Sequence, residues 1–182
     1  QEMQFSLLNI KGFSKLPYAG KPALPAHTDL IAVPVGATCN VEISTSFFIE
    51  LDGFWIYPAL KPFPDNYITP EPDFEMDQVL YSTDAFYPEK IVEVTQMQKI
   101  RGTGMAFVQV CPVQFNPVTR KIRVYSEIQF EVSFSGGTNF IDPSSYSGSF
   151  YHSFASGFVN SYSVKKELQA FAQSYTPSRD DE

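Results

Sequence analysis

Residues 121–134 alternate in polarity. Ile122, Val124, Ile128, Phe130, Val132 and Phe134 hold the even positions, broken only by Ser126. Lys121, Arg123, Tyr125, Glu127, Gln129, Glu131 and Ser133 hold the odd ones. A period of two means a strand with one face on a core and the other in water. A strand this long needs a partner to satisfy its backbone, and the sequence supplies one. Asn116-Pro117-Val118-Thr119 is a turn signal, and the apolar residues of 107–115 precede it, so the two stretches read as a β-hairpin.

The rest of the chain repeats this pattern on a smaller scale. Residues 30–35 and 39–49 flank Gly36-Ala37 and read as a second hairpin. Residues 54–57, around the single tryptophan Trp55, and 91–100 are further strands, and 5–10 is expected to begin the sheet. The chain holds 17 Phe, 10 Tyr and 14 Pro, a mix that suits a pleated surface and interrupts helices. The expected fold is all-β, an antiparallel β-sandwich or distorted barrel with a short C-terminal helix. That helix is drawn from Phe150, Phe154 and Phe158, which recur at a spacing of four.

The pattern fails across residues 58–87. Pro58, Pro62, Pro64, Pro70 and Pro72 fall here, with the acids Asp65, Glu71, Asp73, Glu75, Asp77 and Asp84. A loop of this length in a small domain is usually functional. The acids do not follow a calcium-loop spacing, so solvated charge is the default and no metal is expected.

Other chemistry is sparse. Lys and Arg number 13 against 20 Asp and Glu, with no basic cluster, which excludes a nucleic-acid surface. No apolar run approaches the ~20 residues of a membrane helix, and Gln1-Glu2-Met3 lacks the basic start and apolar core of a secretion signal. Cys39 and Cys111 lie in strand-like segments and read as two small buried hydrophobes or as one disulfide. His27 and His152 stand in unpatterned contexts, without catalytic or zinc spacing around them or around a Cys111–His152 pair. Arg101-Gly-Thr-Gly104 lacks the remainder of a phosphate-binding fingerprint. No constellation for catalysis and no cofactor site emerges.

Several segments, in order, carry a resemblance. Gly20-Lys-Pro-Ala-Leu-Pro25 and Leu30-Ile-Ala-Val-Pro-Val-Gly-Ala37 are followed by Asp84-Ala-Phe-Tyr-Pro88 and Ile100-Arg-Gly102. Then come Pro112-Val-Gln-Phe-Asn-Pro-Val-Thr-Arg-Lys-Ile-Arg-Val-Tyr125, the 127–134 strand and Phe150, Phe154 and Phe158-Val-Asn160. Across roughly residues 20–160 the chain resembles the N-terminal propeptides of gingipain-type cysteine peptidases. The resemblance implies a non-catalytic prodomain, residues 1–160, that binds its own peptidase domain, blocks the cleft and assists folding. It also implies a secreted or cell-surface bacterial protein.

In that family a prodomain loop presents a basic residue to the specificity pocket. The corresponding position falls near Asp65, in Lys61-Pro62-Phe63-Pro64-Asp65-Asn66, which departs from the pattern. An acid would be rejected by a pocket built around a carboxylate. Three readings stay open: Asp65 mimics an acidic substrate, Lys61 supplies the plug in a shifted register, or the fold persists with weak inhibition. Residues 161–182 read as a polar linker to the peptidase, with Lys165, Lys166 and Arg179 as processing candidates. The rival expectation is a carbohydrate- or protein-binding sandwich of a secreted surface protein, gripping its ligand with Phe63, Tyr67 or Tyr81.

Overall fold

A computed structural model describes residues 4–61, 74–100, 102–142 and 153–174. In chain order these form β1 (Ser14–Lys15), β2 (Pro25–Val33), β3 (Thr38–Asp52), α1 (Gln78–Tyr81), β4 (Val92–Ile100), β5 (Thr103–Val110), β6 (Val113–Asn116), β7 (Lys121–Ser135) and α2 (Ser161–Ser174). Four strands make one sheet in the order β1-β2-β5-β4, and three make another in the order β3-β7-β6. Among the described residues neither sheet closes on itself, so the barrel alternative falls away.

The hairpin at 116–121 is present but short. Val113 pairs with Val124 and Asn116 with Lys121 in an antiparallel register. Its first arm is only β6, because Pro112 has no N–H to donate and the ladder breaks there. Cys111 N–H turns to Ile91 O instead, and β5 joins the other sheet. The expected second hairpin is not one. β2 and β3 lie in different sheets, and Val35 N–H at the turn donates to Asn139 O rather than across a hairpin. Alternation identifies a strand but not its neighbour. Residues 54–57 and 5–10 are not strands either: Ser6 and Ile56 form a single parallel bridge.

The chain divides into two compact units, and β2, β3, β4, β5 and β7 contribute residues to both. The first unit comprises Gln1–His27, Ile43–Glu93 and Gln109–Phe130. Its core joins Leu16, Leu24, Ala26, Ile56, Tyr81, Cys111, Val113, Phe115 and Ile122, with Trp55 and Tyr87 packed around them. Residues of both sheets meet in this core, as a two-layer sandwich requires. Trp55, Tyr81 and Phe115 contact one another edge to face, with ring centroids 5.4–6.3 Å apart.

The second unit comprises Thr28–Glu42, Val94–Val108 and Glu131–Glu182. In its core Ala32 of β2 and Met105 of β5 pack with Ile141, Ala155, Phe158, Val164 and Leu168. Gly104 is required here, because a Cβ would stand 2.6 Å from Val33 O.

Residues 161–174, expected to be linker, are helical. Val164 and Leu168 lie one turn apart on α2 and are fully buried. Glu167 fastens the same helix, its carboxylate accepting from Phe140 N–H and Ile141 N–H at 2.9 and 3.0 Å. The phenylalanine stripe, by contrast, gives only a helical turn at 153–155. Phe154 and Phe158 still enter the core, while Phe150 lies outside the described residues.

Candidate functional site

The first unit holds both ends of the 58–87 segment on a common base. Gly20 is the pivot. Its N–H donates to Ala59 O and its carbonyl accepts from Asp77 N–H, at 2.8 and 2.9 Å. Its φ of +77 favours glycine, and a Cβ would press to 3.3 Å from Asp77 N. Lys61 Nζ meets Glu75 Oε1 at 2.6 Å, so the described residues on either side of 62–73 are joined by an ion pair. Asp77 then caps α1, accepting from Leu80 N–H at 3.0 Å.

The far end is fixed as firmly. Tyr87 and Phe115 exchange two backbone hydrogen bonds, at 2.8 and 2.9 Å. Asn116 Nδ2 donates to Asp84 Oδ1 at 2.8 Å, while its Oδ1 accepts from Val118 and Thr119 N–H and closes the hairpin turn. Gln114 Nε2 donates to Pro88 O at 2.7 Å, and Tyr125 Oη–H donates to Gln114 Oε1 at 2.6 Å. Gln114 and Asn116 are buried polar residues with their partners in place. Glu75, Asp77 and Asp84 are thus occupied in holding this base. Among the described residues no group of three His, Cys, Asp or Glu comes together to hold a metal.

The first unit also carries an apolar surface on β3. Contacts place Phe48 against Tyr125, Glu50 against Arg123 and Asp52 against Lys121, so β3 and β7 run antiparallel. On one face Arg123 is stacked 4.9 Å from the Phe48 ring centroid and 3.7 Å from that of Phe86. Its Nε donates to Glu50 at 2.9 Å and holds that carboxyl below the usual carboxylate range. On the other face stand Ile43, Phe47, Ile49 and Leu51, all exposed, with Phe47 and Ile49 at 60%. β3 is an edge strand carrying neither lysine nor proline, the usual guards of such an edge. The sequence marks 39–49 as a strand, but alternation does not say whether either face is covered.

Of the expected site residues, Lys61 stands at the base of the loop in its ion pair with Glu75. Pro62, Phe63, Pro64, Asp65 and Asn66 lie outside the described residues, as do Tyr67, His152 and Arg179. Lys165 and Lys166 are exposed on α2. Tyr81 is no ligand platform: it is buried, its hydroxyl donates to Ile56 O at 2.7 Å, and burial raises its pKa. Both cysteines are free thiols. Cys111 is buried, its Sγ lies 3.2 Å from Pro25 O and 3.1 Å from Val113 O so that its one S–H has an acceptor, and it is pushed up to about 12 by desolvation. Such a thiol is no nucleophile at neutral pH.

The family model described as Propeptide_C25 matches residues 1–163. Among curated proteins the chain is 29% identical over 152 residues to Lys-gingipain HG66 of Porphyromonas gingivalis, a match spanning 80% of this chain and 9% of that protein. It is 31% identical over 114 residues to gingipain R2 of the same organism, spanning 63% of this chain and 15% of that protein. The chain therefore corresponds to a small part of the curated relatives it matches. Among solved structures, the complex of P. gingivalis RgpB pro- and mature domains superposes with a TM-score of 0.68 at 28% identity. That match covers 82% of this chain and 77% of the other. A structure addressing the zymogenic latency of gingipain K from P. gingivalis gives 0.57 at 26% identity, covering 69% and 71%.

Proposed function

Because this chain belongs to the Propeptide_C25 family, we propose that it is the non-catalytic prodomain that keeps a gingipain-like cysteine peptidase latent and assists its folding. Its partner is the catalytic domain of its own precursor, in a secreted or cell-surface bacterial protein. The observation that carries this reading is the uncovered apolar row of β3. An edge strand with Ile43, Phe47, Ile49 and Leu51 in the open is a surface made to be covered, and docking on a protein partner covers it.

The second element is the loop. Gly20, Asp77 and the Lys61–Glu75 pair fix the described residues on either side of 62–73. Pre-organisation of this kind lowers the entropic cost of laying the loop across a cleft. Lys61 is engaged at the stem, which favours residues 62–66, Asp65 among them, as the part that enters. Inhibitory contacts of this class bury about 1,600 Å², and covalent tethering raises the effective concentration. Release then needs a cut in the chain.

The test is titration of the purified chain into the separately expressed peptidase domain, read on peptides with Arg, Lys or Asp before the scissile bond. Stoichiometric inhibition, relieved by Asp65→Ala, is the expected result. No inhibition at micromolar concentration contradicts the reading.

A further inference from the structure

Arg123 of β7 reaches two other parts of the first unit at once. Its guanidinium lies 3.7 Å from the ring centroid of Phe86 and 4.9 Å from that of Phe48, while its Nε donates to Glu50 Oε1 at 2.9 Å. Phe48 and Glu50 belong to β3, and Phe86 to the segment 84–88. A planar guanidinium stacks on rings and keeps its in-plane donors for a carboxylate, which an ammonium cannot do. Phe86 is the fixed end of this clasp. Its neighbour Tyr87 exchanges two backbone hydrogen bonds with Phe115, and Pro88 O accepts from Gln114. β3 is the end that needs holding, because among the described residues only β7 pairs with it. The remaining ion pairs across this face, from Lys121 to Glu50 and Asp52, are long at 3.7 and 3.6 Å and join exposed side chains, so they hold it loosely.

Resting on the propeptide reading, we infer that Arg123 is the positioning residue of the β3 docking row, acting through the strand rather than on the partner. Alternation along β3 carries the argument. Phe48 and Glu50 face Arg123, while Phe47, Ile49 and Leu51 interleave with them and stand exposed on the opposite face. A strand clamped through residues 48 and 50 cannot twist or slide without moving 47, 49 and 51 with it. A loose edge strand would have to be ordered at docking, and that loss of freedom would weaken binding. The stacked guanidinium orders the strand beforehand, in the free chain.

Two variants test this. Arg123→Lys keeps a positive charge beside Glu50 and removes the stacking plane. Phe86→Leu removes the fixed ring and leaves Arg123 in place. Each is expected to weaken inhibition of the peptidase domain about tenfold. Each is also expected to speed amide hydrogen exchange at residues 47–51 of the free chain at least about tenfold, with β6 exchanging as in wild type. Wild-type exchange at 47–51 in both variants overturns the inference, and so does undiminished inhibition. Exchange that rises equally through β6 overturns it too, since Arg123 is then a support of the whole core. Inhibition lost in Arg123→Lys but kept in Phe86→Leu means that Arg123 meets the partner directly, which also overturns it. Failure of the wild type to inhibit is a different result. It strikes the propeptide reading, while exchange in the free chain still reports whether Arg123 holds β3.

Discussion

Lys61 Nζ and Glu75 Oε1 stand 2.6 Å apart, one on each side of segment 62–73. Both side chains are more than half or half exposed, at 59% and 50%, so the pair is worth less than ~1 kcal/mol to the fold. Its effect is on where the loop leaves the body. We expect Glu75→Gln and Lys61→Ala to leave the melting temperature nearly unchanged and to weaken inhibition several-fold, alike. Thermal denaturation and inhibition constants measured side by side check this. Abolished inhibition in Lys61→Ala together with improved inhibition in Glu75→Gln would instead make Lys61 the plug, held back by Glu75.

Asn160 completes the backbone of β2. Its Nδ2 donates to Ala32 O at 2.8 Å and its Oδ1 accepts from Ala32 N–H at 2.9 Å, so a side-chain amide stands in for a neighbouring strand. Ala32 is fully buried, and truncation leaves both of its groups unmatched. Asn160→Ala is expected to cost about 2 kcal/mol or more. Asn160→Asp should do no better, since it loses the donor and sets a charge against Ala32 O. Urea denaturation measures both, and a loss under half of that for either variant counts against the bridging role.

The alkaline limb of stability follows from Cys111. Burial raises its thiol from 9.0 to about 12. Between those values the folded chain binds more protons than the unfolded one, so stability falls as pH rises through that window and is unaffected by this group below it. Lys15 acts in the opposite sense. Its pKa is lowered by desolvation, so the unfolded chain binds more protons as pH approaches 10.5 and stability gains. Denaturation at pH 8, 9 and 10 should show a shallower decline in Cys111→Ala than in wild type, whatever the variant's overall loss. Parallel profiles would exclude Cys111 as a source of the slope.

Processing is expected beyond α2. A peptidase needs an extended substrate, and Lys165 and Lys166 are on a helix pinned by Val164, Glu167 and Leu168. The double variant Lys165→Ala/Lys166→Ala should release its peptidase at the same bond and rate as wild type, read by N-terminal sequencing of the product. Loss of release in that variant would place the cut within the helix.

Much of the architecture is legible in the sequence, and the misses share a cause. The 121–134 alternation and the Asn116-Pro117 turn mark β7 and the hairpin because both are local signals. Sheet membership is not local. Nothing near Gly36 says that β2 and β3 part company, and only Pro112 hints that β5 and β6 do. α2 escapes notice because its buried stripe is chiefly Val164 and Leu168, too short to stand out in a polar stretch. For the site, the prolines and acids of 58–87 reveal the loop, but the base that holds it depends on Gly20, some forty residues upstream. The open face of β3 and the stacking of Arg123 have no sequence signature at all, since exposure and partnership are properties of the assembled fold.

The central claim is that β3 docks on the peptidase, and Phe47→Glu/Ile49→Glu tests it most directly. Both side chains are exposed at 60%, so the free chain should keep its melting temperature and gain solubility. Two charges forced into an apolar interface should raise the inhibition constant by at least about a hundredfold. That loss of inhibition by a folded variant is the predicted result. Inhibition equal to wild type, from a variant with wild-type stability, would contradict the account.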